Sequence, residues 1–212
     1  MQVDKEVGRV ENLVEYVSTS PFLRFLNLSH NGIGDRGITQ FSRVLGHANR
    51  LLSLDLSHNG FGEQGAEKLS DALELDHTLT SLNVSNNRVK ADGMTALADA
   101  LGDHRGLTWL DVSSNEVGHA GAAAIERLLR MAPALTSVNA KANSFGPTGA
   151  LRISRALRLK NGCLTHLDLS DNNIGPKGCA HIAKALCGPQ APCLERLVLG
   201  SGNNLRTSMD ED

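Results

Sequence analysis

The chain repeats itself, and the repeat leaves few folds open. When Leu23, Leu51, Leu79, Leu107, Leu135, Leu164 and Leu194 are aligned, one frame recurs, L-x-x-L-x-L-x-x-N-x-I, at steps of 28, 28, 28, 28, 29 and 30 residues. Its clearest copy is Leu164–Ile174, L-T-H-L-D-L-S-D-N-N-I. Position 4 is Leu26, Leu54, Leu82, Leu110, Val138, Leu167 and Leu197, and position 6 is Leu28, Leu56, Val84, Val112, Ala140, Leu169 and Leu199. A fixed period of this length makes each copy one supersecondary unit that buries its apolar side only by stacking on its neighbours.

The two halves of each copy have different periods. Apolar positions 4 and 6 alternate with polar positions 3, 5 and 7, which predicts a short half-buried strand. Strands of successive copies can then pair in parallel. Position 9 is Asn31, Asn59, Asn87, Asn115, Asn143 and Asn172, placed where the chain leaves the strand. An amide there can satisfy backbone groups that the turn leaves unpaired, so the stacked copies are expected to form an asparagine ladder. The second half opens with G-x-x-G, read as a turn, except that Lys90 replaces the first glycine of the third copy. Apolar residues then recur on one helical face, as in Ala66, Leu69, Ala72, Leu73 or Ala122, Ile125, Leu128, Leu129. Helices are wider than strands, so the stack should curve with its strands inside.

The composite pattern L-T-x-L-D-L-S-x-N-x-I-G-x-x-G-A-x-x-L-x-x-A-L resembles the ribonuclease-inhibitor type of leucine-rich repeat, from about Val10 to Leu199. The same type occurs in the sensing ends of innate immune receptors and in Ran GTPase-activating protein. The resemblance implies an α/β fold, a curved leucine-rich-repeat solenoid with a parallel β-sheet on the concave face and α-helices on the convex face. It implies a protein–protein interaction module without catalysis. Two alternatives remain: a GTPase activator like the Ran protein, and a structural subunit of a large assembly such as a ciliary one. No catalytic Arg of the activator family maps onto this chain.

Three regions are expected. Residues 1–22 form an N-terminal helical half-repeat, because Val10, Leu13, Tyr16 and Val17 keep the helix spacing without a preceding strand. Residues 23–199 hold six full repeats and a final strand. Residues 200–212 form a degenerate cap and a short acidic tail, Arg206–Asp212. In the seventh copy Gly202 stands at position 9 and Asn203 arrives one residue late. Asn203 is therefore expected outside the ladder, and Asn203→Ala is expected to cost much less than Asn115→Ala.

Composition bounds the function. The net charge is −2 and the pI about 6.4, which does not suit nucleic acid, whose binders present a basic surface. No apolar run approaches the 18 or so residues that a membrane span needs. Asp4, Lys5, Glu6, Glu11 and Glu15 interrupt any signal-peptide core. The expected setting is the cytoplasm, with the nucleus possible. Neither a cofactor nor a small-molecule substrate is indicated.

No sequence motif carries a reaction. P-loop, H-E-x-x-H and EF-hand patterns are all missing from the sequence. His166, Asp168 and Ser170 share one strand face, but alternate residues stand about 6.6 Å apart, too far for a nucleophile and its base. His30 and His58 share position 8 in adjacent copies, so they should stack near 4.8 Å apart at the rim. Two imidazoles are too few for zinc. Of the four cysteines, Cys179 is expected on the buried helix face. Cys163 and Cys193, each just before a first leucine, are expected as neighbouring buried small residues rather than a disulfide.

The concave face is the informative surface. Position 5 reads Asn27, Asp55, Asn83, Asp111, Asn139, Asp168, so that no Asp faces Asp on the next strand. Position 7 is Ser29, Ser57, Ser85, Ser113, Lys141, Ser170, and position 3 is Phe25, Ser53, Ser81, Trp109, Ser137, His166, Arg196. Against this field of small polar residues, Trp109, Lys141, His166 and Arg196 stand out, with Asp111 and Asp168 beside them. A large aromatic among small neighbours is the type of residue that anchors a protein partner. The competing reading is that Trp109 lies flat over its serine neighbours and that Lys141 pairs with Asp111 or Asp168.

Overall fold

The computed structural model describes residues 17, 19–20, 22–45, 50–158, 163–187 and 193–205. Among these, seven three-residue strands alternate with six helices: β1 (Phe25–Asn27), α1 (Gly34–Leu45), β2 (Ser53–Asp55), α2 (Glu63–Leu73), β3 (Ser81–Asn83), α3 (Lys90–Gly102), β4 (Trp109–Asp111), α4 (Gly118–Met131), β5 (Ser137–Asn139), α5 (Gly146–Arg158), β6 (His166–Asp168), α6 (Gly175–Leu186) and β7 (Arg196–Val198). The strands form one parallel sheet in chain order. Position 4 pairs with position 4 on every rung, from Leu26 opposite Leu54 to Leu167 opposite Leu197. This is the α/β leucine-rich-repeat solenoid that the period predicts, with strands lining the concave side. Of the expected N-terminal half-repeat, Val17 is helical and buried; Val10, Leu13 and Tyr16 lie outside the described residues, as does the tail Arg206–Asp212.

The core is a column of aliphatic layers. Leu54, Leu82, Leu110, Val138 and Leu167 come from the strands. Phe61, Val89, Val117, Phe145 and Ile174 close each layer at position 11, and Leu69, Leu97, Ile125, Ile153 and Ile182 come down from the helices. The column is tight in its middle and looser at its ends, where Leu23 and Leu26, and Leu194, Leu197 and Leu199, are only partly buried. Cys179 is half-buried rather than buried, because no described helix packs beyond α6.

The G-x-x-G pair does two jobs, only one of them a turn. Its first residue has a left-handed backbone at Gly34, Gly118, Gly146 and Gly175, with φ of 60, 65, 63 and 67°, and Lys90 adopts the same conformation at φ 53°. The second glycine lies inside the helix, where neighbouring helices touch. A Cβ on Gly149 would come within 3.0 Å of Ala122 Cβ and 2.7 Å of Phe145 Cβ.

The asparagine ladder crosses every rung just past the strand ends, and it runs one rung farther than the sequence spacing predicts. Asn59 Nδ2 donates to its own strand's Leu56 carbonyl at 2.9 Å and to Leu28 of the preceding rung at 2.9 Å. Its Oδ1 accepts the Asn31 amide at 3.1 Å. Asn87, Asn115, Asn143 and Asn172 likewise donate to the carbonyl of the rung before, at 2.9–3.0 Å. Asn203, expected to fall outside, is 1% exposed and completes the series. Its Nδ2 reaches Leu169 at 2.9 Å, and its Oδ1 accepts Asn172 N at 2.9 Å. The extra residue is absorbed by Gly200-Ser201-Gly202, where Gly202 takes a φ of 73° that favours glycine.

One buried polar pair has no signature in the repeat frame. Asp76 and His104 occupy the same place, three residues before Leu79 and Leu107, and both are buried. Asp76 Oδ1 accepts the Thr78 and Leu79 amides at 2.9 Å each. His104 Nδ1 accepts Leu107 N at 3.1 Å, so the ring proton sits on Nε2, which faces Asp76 Oδ1 at 3.6 Å. Burial pushes the Asp76 carboxyl up, but His104 and the two amides outweigh it and hold the group below its ordinary value.

Candidate functional site: the concave face

Each concave side chain is set by a turn built at its own rung. The position 5 Asx oxygen accepts the amide two residues on: Ser29 to Asn27, Ser57 to Asp55, Ser85 to Asn83, Ser113 to Asp111, Lys141 to Asn139 and Ser170 to Asp168, at 2.8–3.2 Å. Asx side chains do this because a short carboxylate or amide reaches the backbone two residues ahead. Serine at position 7 adds its hydroxyl in three rungs, with Ser57 Oγ 2.7 Å from Asp55. The Asx–Ser pattern is thus a turn lock as well as a surface.

The register brings the expected residues together on consecutive strands. Trp109 lies opposite Ser81 on one side and Ser137 on the other. Ser137 lies opposite His166, and His166 opposite Arg196. Trp109 is 36% exposed, a large ring left partly in water between two small neighbours. Arg196 is exposed, and His166 is half-buried with Nδ1 2.8 Å from the Thr165 hydroxyl. Asp55, Asp111 and Asp168 alternate with Asn83 and Asn139 across the sheet.

Two of the polar residues are tied differently from the sequence expectation. Lys141 pairs with neither Asp111 nor Asp168: its Nζ lies 3.0 Å from Asp171 Oδ2, at position 8 of the next repeat. That hydrogen bond raises the lysine and lowers the aspartate, whose other oxygen receives Ser201 Oγ at 3.0 Å. Asp171 itself has a left-handed backbone, with φ 56°. Asp111 gives one oxygen to Ser113 and the other to Asn139 Nδ2 at 2.8 Å, so both serve the scaffold. Asp168 keeps the more open carboxylate.

A second exposed aromatic shares the column of Trp109. Phe25, at position 3 of β1, is 72% exposed, twice the fraction of Trp109, and Phe22 just before it is 84% exposed. The signal was its place in the same column as Trp109. The stacked pair His30 and His58 sits at the rim with ring centroids 3.9 Å apart and planes 13° apart, closer than backbone spacing alone gives. Among the described residues, no three His, Cys, Asp or Glu side chains are placed to share a metal ion. No described helix is long and apolar enough to cross a membrane.

The family model described as "Leucine Rich repeat" matches residues 19–42, 47–70, 76–98, 106–125 and 160–183, more than half of the chain. The chain belongs to the leucine-rich repeat family. The solved structures it resembles include a Caenorhabditis elegans tropomodulin C-terminal domain, at 15% identity and TM-score 0.59, covering 72% of this chain and 92% of that one. Leiomodin-1 actin-binding site 2 aligns at 21% identity and TM-score 0.56, over 60% of this chain and 76% of that one. The leucine-rich repeat protein LegL7 of Legionella pneumophila aligns at 20% identity and TM-score 0.55, over 92% of this chain and 62% of that one. At these identities the likeness is one of fold. No sequence among curated proteins matches.

Proposed function

We propose that this leucine-rich repeat chain is a non-catalytic protein-binding module whose partner docks on the concave face of β4 to β7. The observation that carries the reading is Trp109, held 36% exposed between Ser81 and Ser137 on the central strand of the sheet. A rigid, half-exposed aromatic beside small side chains offers contact area at little entropic cost, the usual character of an interface hot spot. His166 and Arg196 extend the patch along position 3, Lys141 and Asp111 flank it, and Asp168 offers its carboxylate to a basic group of the partner. Arrays of this kind expose an extended concave surface of the sort used to hold other proteins.

The test compares Trp109→Ala with Ser53→Ala, which lies on the same face two strands from Trp109. Partners captured by the wild-type chain are purified and titrated calorimetrically against both variants; actin, which the leiomodin fragment is described as binding, is a convenient first probe. Trp109→Ala should lose about 2 kcal/mol or more, roughly thirtyfold in affinity, and Ser53→Ala almost nothing. Equal affinity for wild type and Trp109→Ala, with the fold intact by circular dichroism, would move the contact off this patch.

A further inference from the structure

We propose that Cys163 and Cys193 form an oxidisable dithiol that closes to a disulfide and fastens β7 to β6. Both are exposed, contrary to the expectation that they are buried small residues. Both directly precede the first leucine of their repeats. His166 pairs with Arg196, and three residues before each along the chain, ahead of the strands, stand Cys163 and Cys193. The strands are still bonded close to that point: Glu195 N and Arg196 N both donate to Thr165 O at 2.9 Å. Elsewhere in the stack, residues at this pre-leucine place keep touching the neighbouring rung. Thr78 Oγ1 donates to Leu51 O at 3.0 Å, and the Arg50 carbonyl accepts Arg24 Nη1 at 3.1 Å.

Parallel neighbours stand about 4.8 Å apart, inside the range of roughly 4.4–6.8 Å between Cα atoms that a disulfide spans. Both residues are exposed to solvent, and oxidation requires access. With hydrogen peroxide as oxidant the chemistry balances. One thiolate attacks the peroxide and becomes a sulfenic acid, releasing one water after protonation. The second thiol then displaces the sulfenic hydroxyl as a second water, leaving one S–S bond. Two thiol hydrogens are lost and one peroxide is consumed. The closed loop is long, so the link removes much of the entropy of the unfolded chain at this end.

The experiment uses the full chain, reduced and then treated with hydrogen peroxide. The expected result is a monomer whose accessible thiols fall from the four of the reduced chain to two, with Cys163 and Cys193 peptides joined on a non-reducing peptide map. The oxidised protein should show a shift to slower hydrogen exchange, by about tenfold or more, at the Leu169 and Asp171 amides, which bond to Val198 O and Ser201 O of the last rung. Cys163→Ser and Cys193→Ser, both at exposed sites, should each abolish the shift, whereas Cys187→Ser and Cys179→Ser should retain it. A Cys187–Cys193 link, disulfide-joined dimers, sulfinic acid without any disulfide, or four thiols surviving treatment would each overturn the proposal.

Discussion

Replacing Asn203 by alanine tests whether the last repeat is part of the ladder. The side chain accepts Asn172 N at 2.9 Å and Ile174 N at 3.3 Å, and donates to Leu169 O at 2.9 Å and Leu199 O at 3.1 Å. Leu169 O keeps a second donor, Asn172 Nδ2 at 3.1 Å, so the serious loss is the pair of buried amides. An unsatisfied buried amide costs about 1–3 kcal/mol, and water can reach part of this end of the stack. The expected cost is therefore about 2 kcal/mol, close to that of Asn115→Ala in the middle, which loses donor bonds to Val84 O and Val112 O. An end repeat can open alone, so the decisive assay is amide hydrogen exchange rather than a global melt. Protection at Asn172 and Ile174 should fall roughly thirtyfold in Asn203→Ala, with protection near Leu82 little changed. If protection at those two amides stays within about twofold of wild type, Asn203 is not a working rung.

Lys90→Gly should raise stability by about 0.5–1 kcal/mol in urea unfolding, since the left-handed backbone at Lys90 suits glycine and the exposed contact of its ammonium with Glu63 at 3.4 Å contributes little. A loss of stability would mean that the ion pair outweighs the backbone strain. Gly149→Ala should destabilise by about 1–3 kcal/mol because the new methyl meets Phe145 and Ala122; an unchanged urea midpoint would refute the close helix contact. Asp76 supplies a pH dependence. Its folded pKa lies below the ordinary 3.8, so its contribution is full above that value and disappears as pH falls through the lower, folded one. Asp76→Asn should therefore be less stable than wild type at pH 7, and the gap should narrow on acidification toward pH 3; a gap independent of pH would show that charge is not the cause.

The repeat frame made the fold legible because a period of 28 residues, an alternating strand and an amphipathic helix all demand the same stack. Core residues such as Leu110 and Phe145 could be assigned from position alone. What escaped the frame depended on geometry between rungs. Asn203 looked displaced because counting along the chain cannot show that Gly200 and Gly202 absorb one residue. Asp171 as the partner of Lys141 was hidden because position 8 belongs to the turn, whose left-handed backbone re-aims the side chain. Asp76 and His104 sit in connectors, where the repeat has no consensus to deviate from. On the concave face the column holding Trp109 was readable, while the degree of exposure that sets Phe25 beside it was not.

The alternation of Asp and Asn along position 5 fixes a charge spacing. Asp55, Asp111 and Asp168 stand on every second strand, so successive carboxylates are about 9.6 Å apart. In water that separation carries a repulsion of about 0.4 kcal/mol before screening, against about 0.9 kcal/mol for carboxylates on adjacent strands. It also exceeds the Debye length of roughly 8 Å at physiological ionic strength, so each charge is largely hidden from the next by counter-ions. The sheet can therefore keep a row of anionic groups at little electrostatic cost to its own folding. A partner would meet them as separate sites of attraction at a fixed pitch, not as one continuous negative field.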